Sequence, residues 1–251
     1  MYHFFVEPEQ IGANEITITG SDVNHIRNVL RMEEGEQISV SSGESATQYR
    51  CAITSLSEEC VVAKIMWAQE ADTELPAKLY LFQGLPKGDK MELIIQKAVE
   101  LGVYEIIPVA TKRAVVKLDA KKAESKCRRW NAISESAAKQ SKRMIVPEVK
   151  NVMTFSQAVS YAKEICTKMM IPYELAEGME ETRRIFADIQ AGDAAAVFIG
   201  PEGGFDEAEV ALARQAGASA VTLGRRILRT ETAGMTVLSI LMFHLEGQVR
   251  P

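Results

Sequence analysis

The stretch V-F-I-G-P-E-G-G-F-D-E-A-E at residues 197–209, followed by V-T-L-G-R-R-I-L-R-T-E-T-A at 221–233, decides how this chain is read. Twice an apolar, β-type run ends at a glycine: Val197-Phe198-Ile199 at Gly200, and Val221-Thr222-Leu223 at Gly224. In open α/β sheets, ligands bind beyond the carboxyl ends of the strands, where backbone groups are open. Gly200, Gly203 and Gly204 accept turn geometries that other residues resist and let a ligand approach the main chain, and Pro201 stiffens the loop. The second loop runs through Arg225, Arg226, Ile227, Leu228 and Arg229 into an apolar helix expected over 232–245. Spacing alone leaves two readings open, a ligand site and plain scaffold turns, because α/β proteins make many structural glycine turns.

Working outward, residues from Ala77 onward alternate strand and helix patterns. Strands are expected at 79–82, 106–109, 168–171, 195–199 and 220–223, and helices at 91–101, 120–142, 154–163, 180–189, 207–215 and 232–245. Such alternation implies a mainly parallel sheet covered on both faces. Residues 2–70 read differently. Five short β-type segments (4–6, 15–18, 37–41, 50–56 and 60–67) surround one helix at 21–30, which suggests a small barrel. Arg27 and Arg31 flank the end of that helix, either to hold phosphate or simply to be solvated. The acidic, proline-ended segment A-Q-E-A-D-T-E-L-P at 68–76 is the linker candidate, so the expected domains are 1–70 and 77–251.

Composition narrows the classes. At 251 residues and 47% hydrophobic content, the chain can bury a substantial core. The net charge of −5 gives no global nucleic-acid signal, but residues 111–150 hold twelve Lys/Arg against four Asp/Glu. That local excess suggests an anionic partner at one face, with a solvated helix face as the alternative. Four dispersed cysteines and three scattered histidines form no metal-ligand or disulfide pattern, which predicts no metal and reduced thiols in the cytoplasm. The first residues carry no signal-peptide pattern, and no run of ~20 apolar residues exists to span a membrane.

Several familiar motifs fail. G-L-P-K-G-D-K at 84–90 is one residue short of a phosphate loop, and Asp89 opposes an anion; neither G-x-G-x-x-G nor G-x-S-x-G occurs. What does fit is a set of spaced motifs: G-P-E-G-G-F (200–205) with L-G-R-R-I-L-R-T-E-T-A (223–233), H-I-R-N-V-L-R (25–31), G-L-P-K-G-D-K (84–90), Q-K-A-V-E-L-G (96–102), R-A-V-V-K-L (113–118) and K-Q-S-K-R with Pro147 (139–147). Across essentially the whole chain these resemble the bacterial 16S ribosomal RNA uracil-N3 methyltransferases, which belong to the methyltransferases with a trefoil knot. The resemblance implies an N-terminal PUA-like β-barrel that binds RNA and a C-terminal knotted α/β domain with a mainly parallel sheet. It also implies a homodimer, S-adenosyl-L-methionine as methyl donor, and one uridine of 16S rRNA in the small ribosomal subunit as substrate. The chain departs from the family's usual pattern at His3, at Lys139-Gln140 and at Gly224-Arg225-Arg226.

The resemblance also assigns residues. Ile199, Gly200, Gly203, Leu223, Gly224, Ile227 and Leu228 form the expected donor-binding set, with Glu202 on a polar group of the donor or else capping the following helix. Arg229 is the expected group for orienting uracil or stabilising its negative charge; the alternative is a salt bridge to Glu231 or Glu202. Glu231 is the candidate general base, or a cap residue of the last helix. Arg113, Gln140 and Arg143 are the expected RNA contacts, assisted by Arg27 and Arg31. Two other functions stay in view: a related knotted tRNA or rRNA methyltransferase with another target atom, and a non-catalytic RNA-binding assembly factor.

Overall fold

The computed structural model describes residues 1–173 and 178–248. They form two compact units. The first comprises 1–74 with 138–146, and the second the described residues of 75–137 and 147–251. The first crossing between units falls between Glu74 and Leu75, and 138–146 returns to the first unit, so the second is not continuous in sequence.

The first unit holds β1 (His3–Phe5), β2 (Glu15–Thr19), α1 (Ser21–Asn24) running into a π-turn at His25–Val29, then β3 (Gln37–Ser41), β4 (Thr47–Leu56) and β5 (Cys60–Glu70). Its sheet has the order β1-β3-β4-β5-β2 and curls into a half-barrel. Pairing is antiparallel except between β1 and β3. Strand alternation builds the core: Ile16 and Ile18 point inward while Glu15, Thr17 and Thr19 do not, and Ile26 of the π-turn closes over the same cluster. Two register irregularities, between Arg50 and Cys51 and between Ile53 and Ser55, interrupt the β4–β5 pairing; such bulges bend and twist the bulged strand.

The second unit runs β6 (Lys78–Gly84), α2 (Lys90–Glu100), β7 (Glu105–Ala110), α3 (Ala120–Ser141, its last turn in the first unit), β8 (Glu148–Val149), β9 (Met153–Thr154), α4 (Phe155–Ile165), β10 (Lys168–Pro172), α5 (Met179–Ala187), β11 (Ala194–Ile199), α6 (Glu207–Gln215), β12 (Ser219–Val221) and α7 (Thr230–Glu246). The strand order is β12-β10-β11-β6-β7-β8, with β9 also on β7, and every pairing is parallel. β6 and β11 are buried almost along their whole length, as strands covered on both faces must be. Phe82 and Phe198 stack across this pair at 4.5 Å, and Phe155 of α4 packs 5.9 Å from Phe198. In α7, Val237, Leu238, Leu241 and Leu245 are buried, whereas Phe243 is 81% exposed.

Segment 138–146 corrects one expectation. Lys142 ends α3 in the left-handed region (φ 60°), with the Arg143 N–H returning to the Ala138 carbonyl at 3.0 Å. Arg143 itself is only 4% exposed. Its Nε donates to Glu74 Oε2 at 3.1 Å, and the Ile145 N–H also reaches Glu74. A guanidinium buried against a carboxylate within its own unit presents no face to a phosphate, so Arg143 is a strut of the first unit rather than the expected RNA contact. Two family departures also find internal partners here. Lys139 pairs with Asp22 at 3.2 Å, and the His3 ring lies between the hydroxyls of Ser39 (2.9 Å) and Ser41 (3.1 Å).

Neighbouring substitutions should therefore act in opposite directions in urea denaturation. Arg143→Ala leaves Glu74 without its buried partner and should cost about 3 kcal/mol. Lys142→Gly relieves a left-handed side chain and should gain about 1 kcal/mol. Burial, and secondarily the Lys139 charge, lower the His3 pKa from 6.5 to about 4. The unfolded chain then binds the extra proton between those values, so stability should fall as pH drops through this window. A His3→Gln variant should show a flatter pH dependence in the same range.

Candidate functional site

The site is built where β6 and β11 end side by side in the second unit. Ile199 pairs with Gln83, and both strands then stop at glycine, Gly200 and Gly84. The close approach explains both glycines. A Cβ on Gly84 would lie 2.7 Å from Pro201 Cδ, and one on Gly200 would lie 3.1 Å from the Gly204 carbonyl carbon. The Gly200–Gly204 loop closes with a Gly204 N–H to Pro201 carbonyl bond of 2.9 Å, and Phe205 then inserts into the core against Phe155. Asp206 caps α6, accepting from the Ala208 N–H at 3.2 Å while Glu209 bonds back to the Asp206 N–H. Lys112, then the Ala208 N–H, hold the Asp206 carboxyl below the usual range.

The second glycine loop follows β12. Gly224 takes φ 105°, its N–H bonded to Thr222 Oγ1 at 3.3 Å. Leu223 and Leu228 are half-buried, while Arg225, Arg226 and Ile227 are exposed. The two loops are tied by one hydroxyl. Thr230 Oγ1 donates to the Gly200 carbonyl at 2.6 Å and accepts from Gln83 Nε2 at 2.8 Å. Gln83 also donates to the Gly84 carbonyl at 2.9 Å, which leaves its buried Oε1 without a partner. Two strand ends and the start of α7 thus converge on a Gln–Thr pair.

Charges gather at the same end. Lys90 Nζ lies 2.9 Å from Glu202 Oε1 and 3.4 Å from Glu231 Oε2, and the Lys87 N–H donates to Glu202 Oε1 at 3.1 Å. The hydrogen bond that Lys90 donates to Glu202 raises the lysine's pKa above its ordinary value. Burial works the other way on Glu202, but Lys90 and backbone N–H groups hold its carboxyl below the ordinary value. Glu202 therefore caps no helix; its carboxylate anchors the 84–90 loop. Arg229 stands at the N-cap position of α7 without a side-chain cap bond, exposed and with no ion-pair partner among the described residues. The alternative of a salt bridge to Glu231 or Glu202 is therefore not formed; Lys90 takes both carboxylates.

The remaining candidates divide between the units. Arg113 stands beside the donor-loop candidates, with Nη1 donating to the Gly203 carbonyl at 3.4 Å and Nε 3.9 Å from Asp206. Arg27, Arg31 and Gln140 belong to the first unit, where Arg31 and Gln140 are exposed and Arg27 is half-buried. Lys90, Gln83 and the Thr230 hydroxyl bridge were missed in the sequence. The only signal was that a glycine loop at 84–90 also ends a β-type run. Among the described residues no group of three His, Cys, Asp or Glu could hold a metal, and no helix is long and apolar enough to cross a membrane.

Comparison with known proteins shows the family. Residues 73–242 match the RNA methyltransferase domain model, and residues 18–66 match the RNA methyltransferase PUA domain model. The chain is 40% identical to the ribosomal RNA small subunit methyltransferase E of Bacillus subtilis, with 98% of each chain covered. It is 33% identical to that of Mesomycoplasma hyopneumoniae, covering 95% of this chain and 98% of the relative. The crystal structure of the Neisseria gonorrhoeae ribosomal RNA small subunit methyltransferase E bound to S-adenosyl methionine superposes with a TM-score of 0.83 at 31% identity, covering 97% of each chain. Given matches that span both units, the chain belongs to the ribosomal RNA small subunit methyltransferase E family.

Proposed function

We propose that this chain transfers a methyl group from S-adenosyl-L-methionine to N3 of one uridine of 16S rRNA in the small ribosomal subunit. The observation that carries the reading is the convergence of the two glycine loops through Thr230, with Arg229 exposed and unpaired at the rim. A relative with the same fold holds S-adenosyl methionine, and the relatives are named as small-subunit rRNA methyltransferases. The knotted path of the chain and a homodimer belong to the same proposal. Exposed Ile240 and Phe243 on α7, with Leu93 on α2, offer apolar surface for a second copy.

The residues fit such a donor. Gly224 has no neighbouring atom where a Cβ would stand, and Leu223 and Leu228 are half-buried beside it, which suits a flat base edged by main-chain groups. Backbone groups of Ile199, Gly200, Gly203, Leu223, Gly224, Ile227 and Leu228 would hold it, and when bound it supplies an electrophilic sulfonium methyl. The chain's own task is to bring N3 in line with that methyl and to manage the N3 proton. Arg229, with no internal carboxylate to neutralise it, is placed to stabilise negative charge on the uracil ring. Glu231 is the proposed acceptor of the N3 proton. Arg113 from the second unit, and Arg27, Arg31 and Gln140 from the first, would contact RNA, the three arginines through its phosphates; such contacts give affinity and salt dependence.

Calorimetric titration with S-adenosylmethionine should show saturable binding that Gly200→Val abolishes, since that side chain must displace Gly204 and Phe205 backbone. Nucleoside analysis of treated small subunits should show 3-methyluridine; another methylated nucleoside would discard the N3 assignment. Glu231→Gln should slow single-turnover methylation by about 100-fold or more if it removes a general base. A wild-type rate would remove that role.

A further inference from the structure

The 84–90 loop fails as a phosphate loop, yet it delivers one ammonium to the site. We infer that Lys90 is a positioning residue for methyl transfer, holding the Glu231 carboxylate in its working orientation; this rests on the function proposed above.

Four observations lead there. Lys90 opens α2, where the helix dipole disfavours a cation. A residue that breaks a local rule needs a compensating gain elsewhere. The gain is visible in its partners, which come from two other segments. Glu202 of the first glycine loop lies at 2.9 Å, and Glu231 in the first turn of α7 at 3.4 Å. Glu231 Oε2 is buried and accepts no hydrogen bond from any described residue, and Lys90 is its ion-pair partner among them. Finally, the lysine is itself fixed. Glu202, which orients it, is anchored by the Lys87 N–H at 3.1 Å, and Gly84 at the loop's start presses on Pro201. The chain of contacts therefore runs from the 84–90 loop through Lys90 to the carboxylate proposed to receive the N3 proton. Partly exposed ion pairs hold little folding energy, so these contacts are poorly explained as a stability device.

The test is a double-mutant cycle in the full-length protein, with small ribosomal subunits and S-adenosylmethionine as substrates. Lys90→Met should lower the single-turnover rate about 10- to 100-fold, the size of loss that follows when a group orienting a metal-ligating side chain is removed. Donor affinity by calorimetry and the thermal midpoint should stay close to wild type, and Lys90→Arg should recover much of the rate. In the Glu231→Gln background, Lys90→Met should add little further loss, since both changes interrupt one unit. Fully additive losses, a wild-type rate for Lys90→Met, or a loss accounted for by donor affinity or unfolding would each overturn the inference. Those outcomes leave an active wild-type enzyme and the methyltransferase reading intact. A wild-type protein that binds no donor and methylates no subunit would instead sink that reading, and the role of Lys90 in methyl transfer with it.

Discussion

The parallel pairing of β6 with β11 is the constraint on which the rest of the site depends. Its register brings two strands to a stop together, with Ile199 beside Gln83 and Gly84 tight against Pro201. Nothing larger than glycine fits at Gly84 without moving backbone, so the loops leave the sheet along fixed paths. The stacked rings of Phe82 and Phe198 support this pair from the core side. A rigid pair of strand ends carrying adaptable loops is the arrangement that lets one scaffold hold a reactive geometry.

Onto that base the molecule adds two kinds of tie. The Gln83–Thr230–Gly200 chain is buried and neutral, and it fixes where α7 begins. Buried hydrogen bonds of this kind cost dearly when half-made, so they specify position more than they add stability. The Glu202–Lys90–Glu231 chain is partly exposed and charged. It adds little to folding but sets the electrostatic surroundings of the loop that carries Arg229. The unpaired state of Arg229 follows from this division: its nearest carboxylate candidates by sequence are already held by a lysine from a different segment.

Much of this was legible in the residues. The alternation of Ile16 and Ile18 with polar neighbours announces β2, and the apolar runs ending at Gly200 and Gly224 announce the loops, because burial and backbone freedom are local properties of a sequence. What stayed hidden depends on contacts made across long separations. Arg143 looked like a free cation in a basic segment, and only its meeting with Glu74, sixty-nine residues away, turns it into an internal strut. Lys90 looked like a spoiled phosphate-loop lysine, since its partners lie more than a hundred residues further on. The excursion of 138–146 into the first unit carried no break in helical pattern, because α3 continues through Ala137 and Ala138 without interruption.

That excursion bears on how the basic segment works. The twelve Lys/Arg of 111–150 left open an anionic partner at one face or a solvated helix face, and the structure sorts them by partner. Lys139 and Arg143 meet Asp22 and Glu74, and Arg129 meets Glu92 at 2.8 Å. Lys142 remains exposed in a left-handed backbone geometry that glycine would adopt more cheaply. A net positive count along a sequence is therefore a poor guide to charge available to a nucleic acid. Cations already paired with carboxylates release few counterions, and the salt dependence of RNA binding should follow the smaller unpaired set.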